Sequence, residues 1–185
     1  MIDKVIIEEC RKGDLHNFRK LVEISSPFAF SIAFRMLGDE ALTADVVQES
    51  MITIWKTIKK IKSADSYKTW VYRIVVNKCY DQLRKRKKNP EFSADEKLWG
   101  LISNKISENP FIEMENREIA QIIGLLTEKL SFKQKAVFIL SDLEDISNEE
   151  VSAITGMSRT NVKANLYYAR KRISELIKKY LKDGN

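Results

Sequence analysis

Apolar residues recur along this chain at intervals of three and four, the period of an α-helix that buries one side. Phe18, Leu21 and Val22, then Ile32, Ala33 and Met36, supply apolar faces ahead of a Gly38-Asp39 step that punctuates two helical stretches. Beyond it the spacing predicts a helix over residues 41–59, with Val47, Met51, Ile54, Trp55 and Ile58 in one stripe. A further helix is expected from Tyr67 to about residue 87, burying Val71, Ile74, Val75, Cys79 and Leu83. These faces would pack as a small bundle. No convincing period-two strand pattern interrupts them.

The first half ends in a basic run, Arg84 to Lys88, after which residues 89–110 turn polar, with Pro90 and the Asn109-Pro110 step as breakers. This stretch reads as a linker holding one short helix near residues 96–102. Helical patterning then resumes over 115–130, 131–142, 147–155 and a long final helix from Ser158. Ser131 with Gln134, and Ser147 with Glu150, have the spacing of capping boxes. The expected fold is therefore all-α: two helical lobes, residues 1–88 and 113–185, joined by a flexible linker over 89–112.

Composition narrows the class. The 185 residues are 44% hydrophobic and 31% charged, as in a soluble chain that folds rather than a disordered tail. The formal charge of +6 favours a polyanionic partner. Cys10 and Cys79 are far apart and lack neighbouring histidines, so neither suits a metal site, and both read as reduced thiols. No targeting leader and no apolar run near the ~20 residues needed to span a bilayer is evident. A cytoplasmic protein without cofactor or metal is the expectation, with no direct insertion into a membrane.

The sharpest local signal is the run Glu150 to Lys163. A helix-turn-helix needs a small residue at the close crossing, which Ser152 provides, and a turn residue tolerant of positive φ, which Gly156 provides. Val151, Ile154, Met157 and Val162 fit as apolar pegs. Ser158 can cap the second helix and leave its first residues free to face a major groove. Arg159, Thr160, Asn161, Lys163 and Ala164 would lie near base edges, and Arg170, Lys171 and Arg172 further down, beside phosphates. The plainer alternative is two packed helices with a glycine cap and a solvated basic face.

Two surfaces stand out in the first half. Asp45, Gln48, Glu49 and Ile52 share a face distinct from the apolar stripe, either a solvated acidic patch or a docking surface for a protein. Arg73, Asn77, Tyr80 and Arg84 follow at spacings of four, three and four, which predicts one stripe opposite the buried one. Interleaved with basic groups such as Lys68, the aromatics Tyr67, Trp70, Tyr72 and Tyr80 suit a surface that holds phosphates and stacks bases. Trp70 borders the buried face and fits a core role equally well.

Taken together, these segments resemble the extracytoplasmic-function (ECF) sigma factors from about Asp14 to Lys178. The pieces are Met36-Leu37-Gly38-Asp39, Ala44-Asp45-Val46-Val47-Gln48-Glu49 and Trp55, then Tyr67-Lys68-Thr69-Trp70-Val71-Tyr72-Arg73-Ile74 with Asn77, Asp81 and Arg84. Ala136-Val137-Phe138-Ile139-Leu140, the helix-turn-helix and Ala169-Arg170-Lys171-Arg172-Ile173 complete the series. The resemblance implies a transcription initiation factor. Asp45, Gln48, Glu49 and Ile52 would dock on the clamp helices of the largest subunit of core RNA polymerase. Lys68, Trp70, Arg73, Asn77, Tyr80 and Arg84 would recognise and open the minus-ten element, with the loop 61–66 holding an extruded base. Ser158, Arg159, Thr160, Asn161, Lys163, Tyr167, Arg170 and Lys171 would read the minus-thirty-five element of promoter DNA. The linker would thread toward the polymerase channel, and an anti-sigma factor, often membrane-anchored in this family, is an implied partner.

The chain departs from the family where Val162-Lys163-Ala164-Asn165 stands in place of the frequent Val-Lys-Ser-Arg, and where Tyr168 replaces an expected basic residue. Two rivals complete the reading. A stand-alone helix-turn-helix regulator would bind operator DNA without polymerase. A nucleic-acid enzyme is disfavoured, because His16 is the only histidine and no metal-site arrangement or phosphate-cradling glycine loop accompanies it.

Overall fold

The computed structural model describes residues 4–61, 63–88 and 126–183. The expected linker, its short helix and most of the helix over 115–130 lie outside the described residues.

The first helix, α1 (Lys4–Lys12), stops at Gly13, whose φ of +99° lies in the left-handed region. Asp14 then caps α2 (Leu15–Leu37), accepting hydrogen bonds from the His16 and Asn17 amides at 2.8 and 3.2 Å. The Gly38-Asp39 step is a stop and a start placed back to back. Gly38 takes φ +65° and donates its amide to the Phe34 carbonyl, while Asp39 is extended and accepts from the Leu42 amide at 2.9 Å. That pair turns the chain from α2 into α3 (Glu40–Thr57) within two residues.

The helix expected over 41–59 finishes in a tighter 3-10 turn, Ile58–Lys60, and a second such turn, Ala64–Ser66, leads into α4 (Tyr67–Lys88). Helices α2, α3 and α4 pack on one another, and α1 lies against α2.

In the second lobe a helical turn over 126–128 precedes Ser131, where the capping box is complete in both directions with Gln134. Helix α5 (Phe132–Phe138) widens into a π-helical turn, Ile139–Leu143, so the helix expected over 131–142 is continuous but changes pitch. Then come α6 (Asn148–Thr155) and α7 (Arg159–Asp183). At Ser147 the box is altered: its hydroxyl oxygen accepts from the Glu150 amide, and the hydroxyl donates to the Glu150 carboxylate at 2.9 Å.

Helix α6 crosses α4, and α2 meets the π-helical turn. Arg35 donates to the Leu143 carbonyl at 2.9 Å and pairs with Glu144 at 3.1 Å, while Ser31 donates to the same carboxylate at 2.9 Å. Apolar residues from Ile7 to Leu166 form one contiguous cluster, so the two lobes share a core instead of each enclosing its own. Helix α4 runs through the middle of it.

Candidate nucleic-acid and polymerase interface

On α3 one face is buried and mainly apolar: Val46, Val47, Met51 and Ile54, with Thr43 and Ser50 bonded back to the helix's own carbonyls. Asp45, Gln48, Glu49 and Ile52 lie exposed on the other side, and Ile52, an apolar side chain, is 47% exposed. All four candidate docking residues therefore share an open ridge. Lys78 on α4 pairs with Glu49 at 3.1 Å, tying the edge of that ridge to the next helix.

Helix α4 departs from its expected pattern. Lys68, Arg73, Asn77 and Arg84 are exposed, Trp70 is half-buried and packed against the core, and Tyr80 is also half-buried against it. Tyr80 therefore does not belong to an open stripe opposite the core. Its hydroxyl is enclosed without a hydrogen-bond partner, and burial pushes its pKa up to about 12. Tyr67 and Tyr72, by contrast, are fully enclosed. Tyr67 shares a 3.0 Å hydrogen bond with Ser25, and Tyr72 meets Phe28 edge-on at 5.3 Å, with Lys68 Nζ 5.4 Å from its ring. Of the aromatics expected to stack on bases, Tyr67 and Tyr72 are core. The physical reason is that α4 has partners on two sides: the α2–α3 bundle and α6 of the second lobe.

Near the same junction lies Lys135 of α5, only 3% exposed. Burial lowers its pKa to about 8, against an opposing pull from Glu128, and Cys79 and Arg86 also face it. The Cys79 thiol is itself pushed up to about 12 by burial. Both cysteines are free and enclosed.

The helix-turn-helix is built as its spacing predicts. Gly156 takes φ +73° and closes α6 with its amide on the Ser152 carbonyl. The Ser152 hydroxyl donates to the Met157 carbonyl at 2.6 Å, so this small residue also stitches the turn. Val151, Ile154 and Val162 are fully buried, Met157 packs beside them, and Ser158 accepts from the Asn161 amide at 3.2 Å. Ser158, Arg159, Thr160, Asn161, Lys163, Ala164, Tyr167, Arg170 and Lys171 are all exposed.

Not all of those cations are equally available. Arg170 makes a two-pronged pair with Asp142 at 2.9 and 2.6 Å, which raises its pKa and fastens α7 to the π-helical turn. Arg159 pairs with Glu149 of α6. Tyr168, the departure noted above, is 57% exposed and lies edge-on to Tyr167, with ring centroids 5.4 Å apart. Sequence spacing alone did not separate these clasped arginines from the open residues; Asp142 and Glu149 were the available signals, each on a neighbouring element. Among the described residues, no group of His, Cys, Asp and Glu side chains is arranged to hold a metal ion, and no helix is long and apolar enough to cross a membrane.

Comparison with known proteins follows the same two-lobe division. A family model described as Sigma-70 region 2 matches residues 21–89, and one described as Sigma-70, region 4 matches residues 120–173. The chain is 26% identical to the ECF RNA polymerase sigma factor SigW of Bacillus subtilis, covering 99% of this chain and 98% of that relative. It is 28% identical to the ECF RNA polymerase sigma-E factor of Escherichia coli K12, covering 96% and 95%. Two solved structures share the fold. One is CnrH in complex with the cytosolic domain of CnrY (TM-score 0.69, 21% identity, 95% and 97% covered). The other is the sigma factor RpoE of Bartonella quintana in complex with the anti-sigma factor NepR (TM-score 0.64, 20% identity, 89% and 98% covered). With both modules present in this order, the chain belongs to the extracytoplasmic-function sigma factors of the sigma-70 family and is a transcription initiation factor.

Proposed function

We propose that this chain works in the cytoplasm as two DNA-reading lobes, residues 1–88 and 113–185, anchored to core RNA polymerase through the α3 ridge. Asp45, Gln48, Glu49 and Ile52 meet the clamp helices of the largest polymerase subunit. Lys68, Trp70, Arg73, Asn77 and Arg84 attend the minus-ten element, together with the loop 61–66; Tyr80 joins them only where α4 is uncovered. Thr160, Asn161, Lys163 and Tyr167 face the minus-thirty-five bases, and Lys171 the phosphates. The chain itself contributes no bond-making chemistry; catalysis belongs to the polymerase.

The observation that carries this reading is the α3 ridge: four candidate docking residues open on one face, Ile52 among them, while the opposite face is buried. Ile52 continues the polar face of Asp45, Gln48 and Glu49 by one turn, so a partner helix would find an apolar contact beside hydrogen-bonding groups. Each lobe alone binds DNA weakly, and tethering both to polymerase raises effective concentration so that the contacts reinforce. Opening is favoured insofar as the first lobe holds unstacked bases better than paired ones, because only differential affinity shifts an equilibrium. An anti-sigma factor, the kind of partner that the RpoE structure contains, fits as the restraining protein.

Footprinting on promoter DNA tests the reading. Protection of both elements that requires core polymerase, and that is lost in an Asp45→Lys, Glu49→Lys double variant, is the expected result. Equal protection without polymerase would instead make the chain a stand-alone operator-binding regulator.

A further inference from the structure

The Sigma-70 region 2 match begins at residue 21, so α1 and the first six residues of α2 lie outside it. Helix α1 is nonetheless built into the lobe. Ile7 and Cys10 are fully enclosed, and Ile6 packs against the same core. Its charged face is largely self-satisfied, with Arg11 on Glu8 at 2.9 Å and Lys12 on Glu9 at 2.7 Å. That leaves little of it for a phosphate backbone.

What α1 touches, besides α2, is the connection between α3 and α4: the two 3-10 turns Ile58–Lys60 and Ala64–Ser66. Lys4 Nζ reaches Asp65 at 3.1 Å. The connection has a buried floor, Ile58, Ile61 and Tyr67, and an exposed rim of Lys59, Lys60, Ser63, Asp65 and Ser66. On the rim, Ser63 accepts from the Asp65 amide at 3.2 Å and Ser66 donates to the Ser63 carbonyl at 2.8 Å. Two single-turn helices lack a core of their own, and holding them in one shape costs chain entropy. Helix α1 adds apolar surface beside them, next to that of α3 and α4.

We propose that α1 is a positioning element that pre-forms the α3–α4 connection for single-stranded promoter bases, an inference that rests on the reading of this loop given above. A rim already in its binding shape loses less freedom when bases arrive, so affinity for unpaired DNA rises without a new contact. The α3 ridge and the helix-turn-helix are outside its reach.

The test uses the full chain bound to core polymerase. Two readouts are needed: recruitment to a duplex promoter, and opening of that duplex reported by 2-aminopurine placed in the minus-ten element. Ile7→Ala is expected to leave recruitment unchanged and to lower the equilibrium extent of opening by at least about fivefold, with Ile7→Val restoring most of it. Lys4→Glu, which sets two carboxylates against each other without opening the core, is expected to give a smaller loss in the same readout. Opening by the Ile7→Ala and Lys4→Glu chains equal to wild type overturns the inference, as does an equal fall in recruitment and opening that Ile7→Val does not repair. A wild-type holoenzyme that is recruited yet never opens the duplex would remove the loop reading itself.

Discussion

Helices α4 and α7 are both rich in basic and aromatic residues, yet they meet their surroundings differently. Helix α4 is gripped from two sides, so Tyr67 and Tyr72 are enclosed, Trp70 and Tyr80 are half-covered, and the open residues are Lys68, Arg73, Asn77 and Arg84 with few others. Helix α7 buries one narrow stripe, Val162, Leu166 and Ala169, and leaves Tyr167 and Tyr168 at 63% and 57% exposure. An aromatic side chain on a basic helix is therefore not a base-stacking group by composition. What decides is how many partners the helix has. The first lobe's aromatics are largely core, and the second lobe's Tyr167 and Tyr168 stand open on the surface.

The largest test of that contrast is a pair of alanines. Tyr72→Ala, which empties the contact with Phe28 beside the lobe junction, should cost roughly 3–5 kcal/mol of stability in urea unfolding. Tyr167→Ala should change stability by less than about 0.5 kcal/mol while weakening promoter binding. Similar stability losses at both sites would erase the distinction between the helices.

Next in size is Lys135, whose burial near α4 disfavours its charge. The sign follows from its pKa of about 8 in the folded chain against the ordinary 10.5. Between those values the unfolded chain binds more protons, so this group's contribution to stability rises with pH through that window; below it, the full penalty applies. Lys135→Met should therefore stabilise the chain at pH 7 by about 1–3 kcal/mol, and the gap to wild type should narrow between pH 8 and 10. The difference between the two proteins is the quantity to follow, because the raised Tyr80 pKa acts on both alike and in the opposite direction; Cys79, whose thiol Lys135 pulls down, adds a change of its own only above its ordinary value of 9. A gap that does not change with pH would contradict the burial of a charged amine there.

Smaller effects separate the open from the clasped cations of α7. Lys163→Ala should weaken promoter binding by roughly tenfold, about 1.4 kcal/mol, with no shift in unfolding midpoint. Arg170→Ala should alter binding by less than about threefold, because its guanidinium is already engaged by Asp142, and stability by about 1 kcal/mol or less. If Arg170 proved the more important of the two for DNA, the carboxylate would be a resting partner that phosphate displaces rather than a clasp.

Much of this architecture was legible beforehand, for local reasons. The Gly38-Asp39 step, the Ser131–Gln134 box and the Gly156 turn depend on residues within one helical turn of each other, so spacing alone carries them. The α3 ridge was legible as well, since α3 has a clean apolar stripe and an opposite polar face. Helix α4 was not, because a helix covered on two flanks mixes buried and open positions around most of its circumference. On that account Tyr67 and Tyr72 lie in the core and Tyr80 half within it, where spacing alone predicts a surface. The pairing of Arg170 with Asp142 is harder to read: the two are 28 residues apart, on elements that meet only once the second lobe has folded. The role of α1 was invisible for a third reason, that a short amphipathic helix carries no mark of which loop it will brace.

The most direct test of the central claim, that this chain lends promoter choice to RNA polymerase, is to add the pure protein to core enzyme on genomic DNA and map where transcripts begin. New starts are expected, each preceded by one shared pair of elements at a fixed separation, and they should vanish when Asp45 and Glu49 are replaced by lysine. Transcript starts indistinguishable from those of core enzyme alone would contradict it.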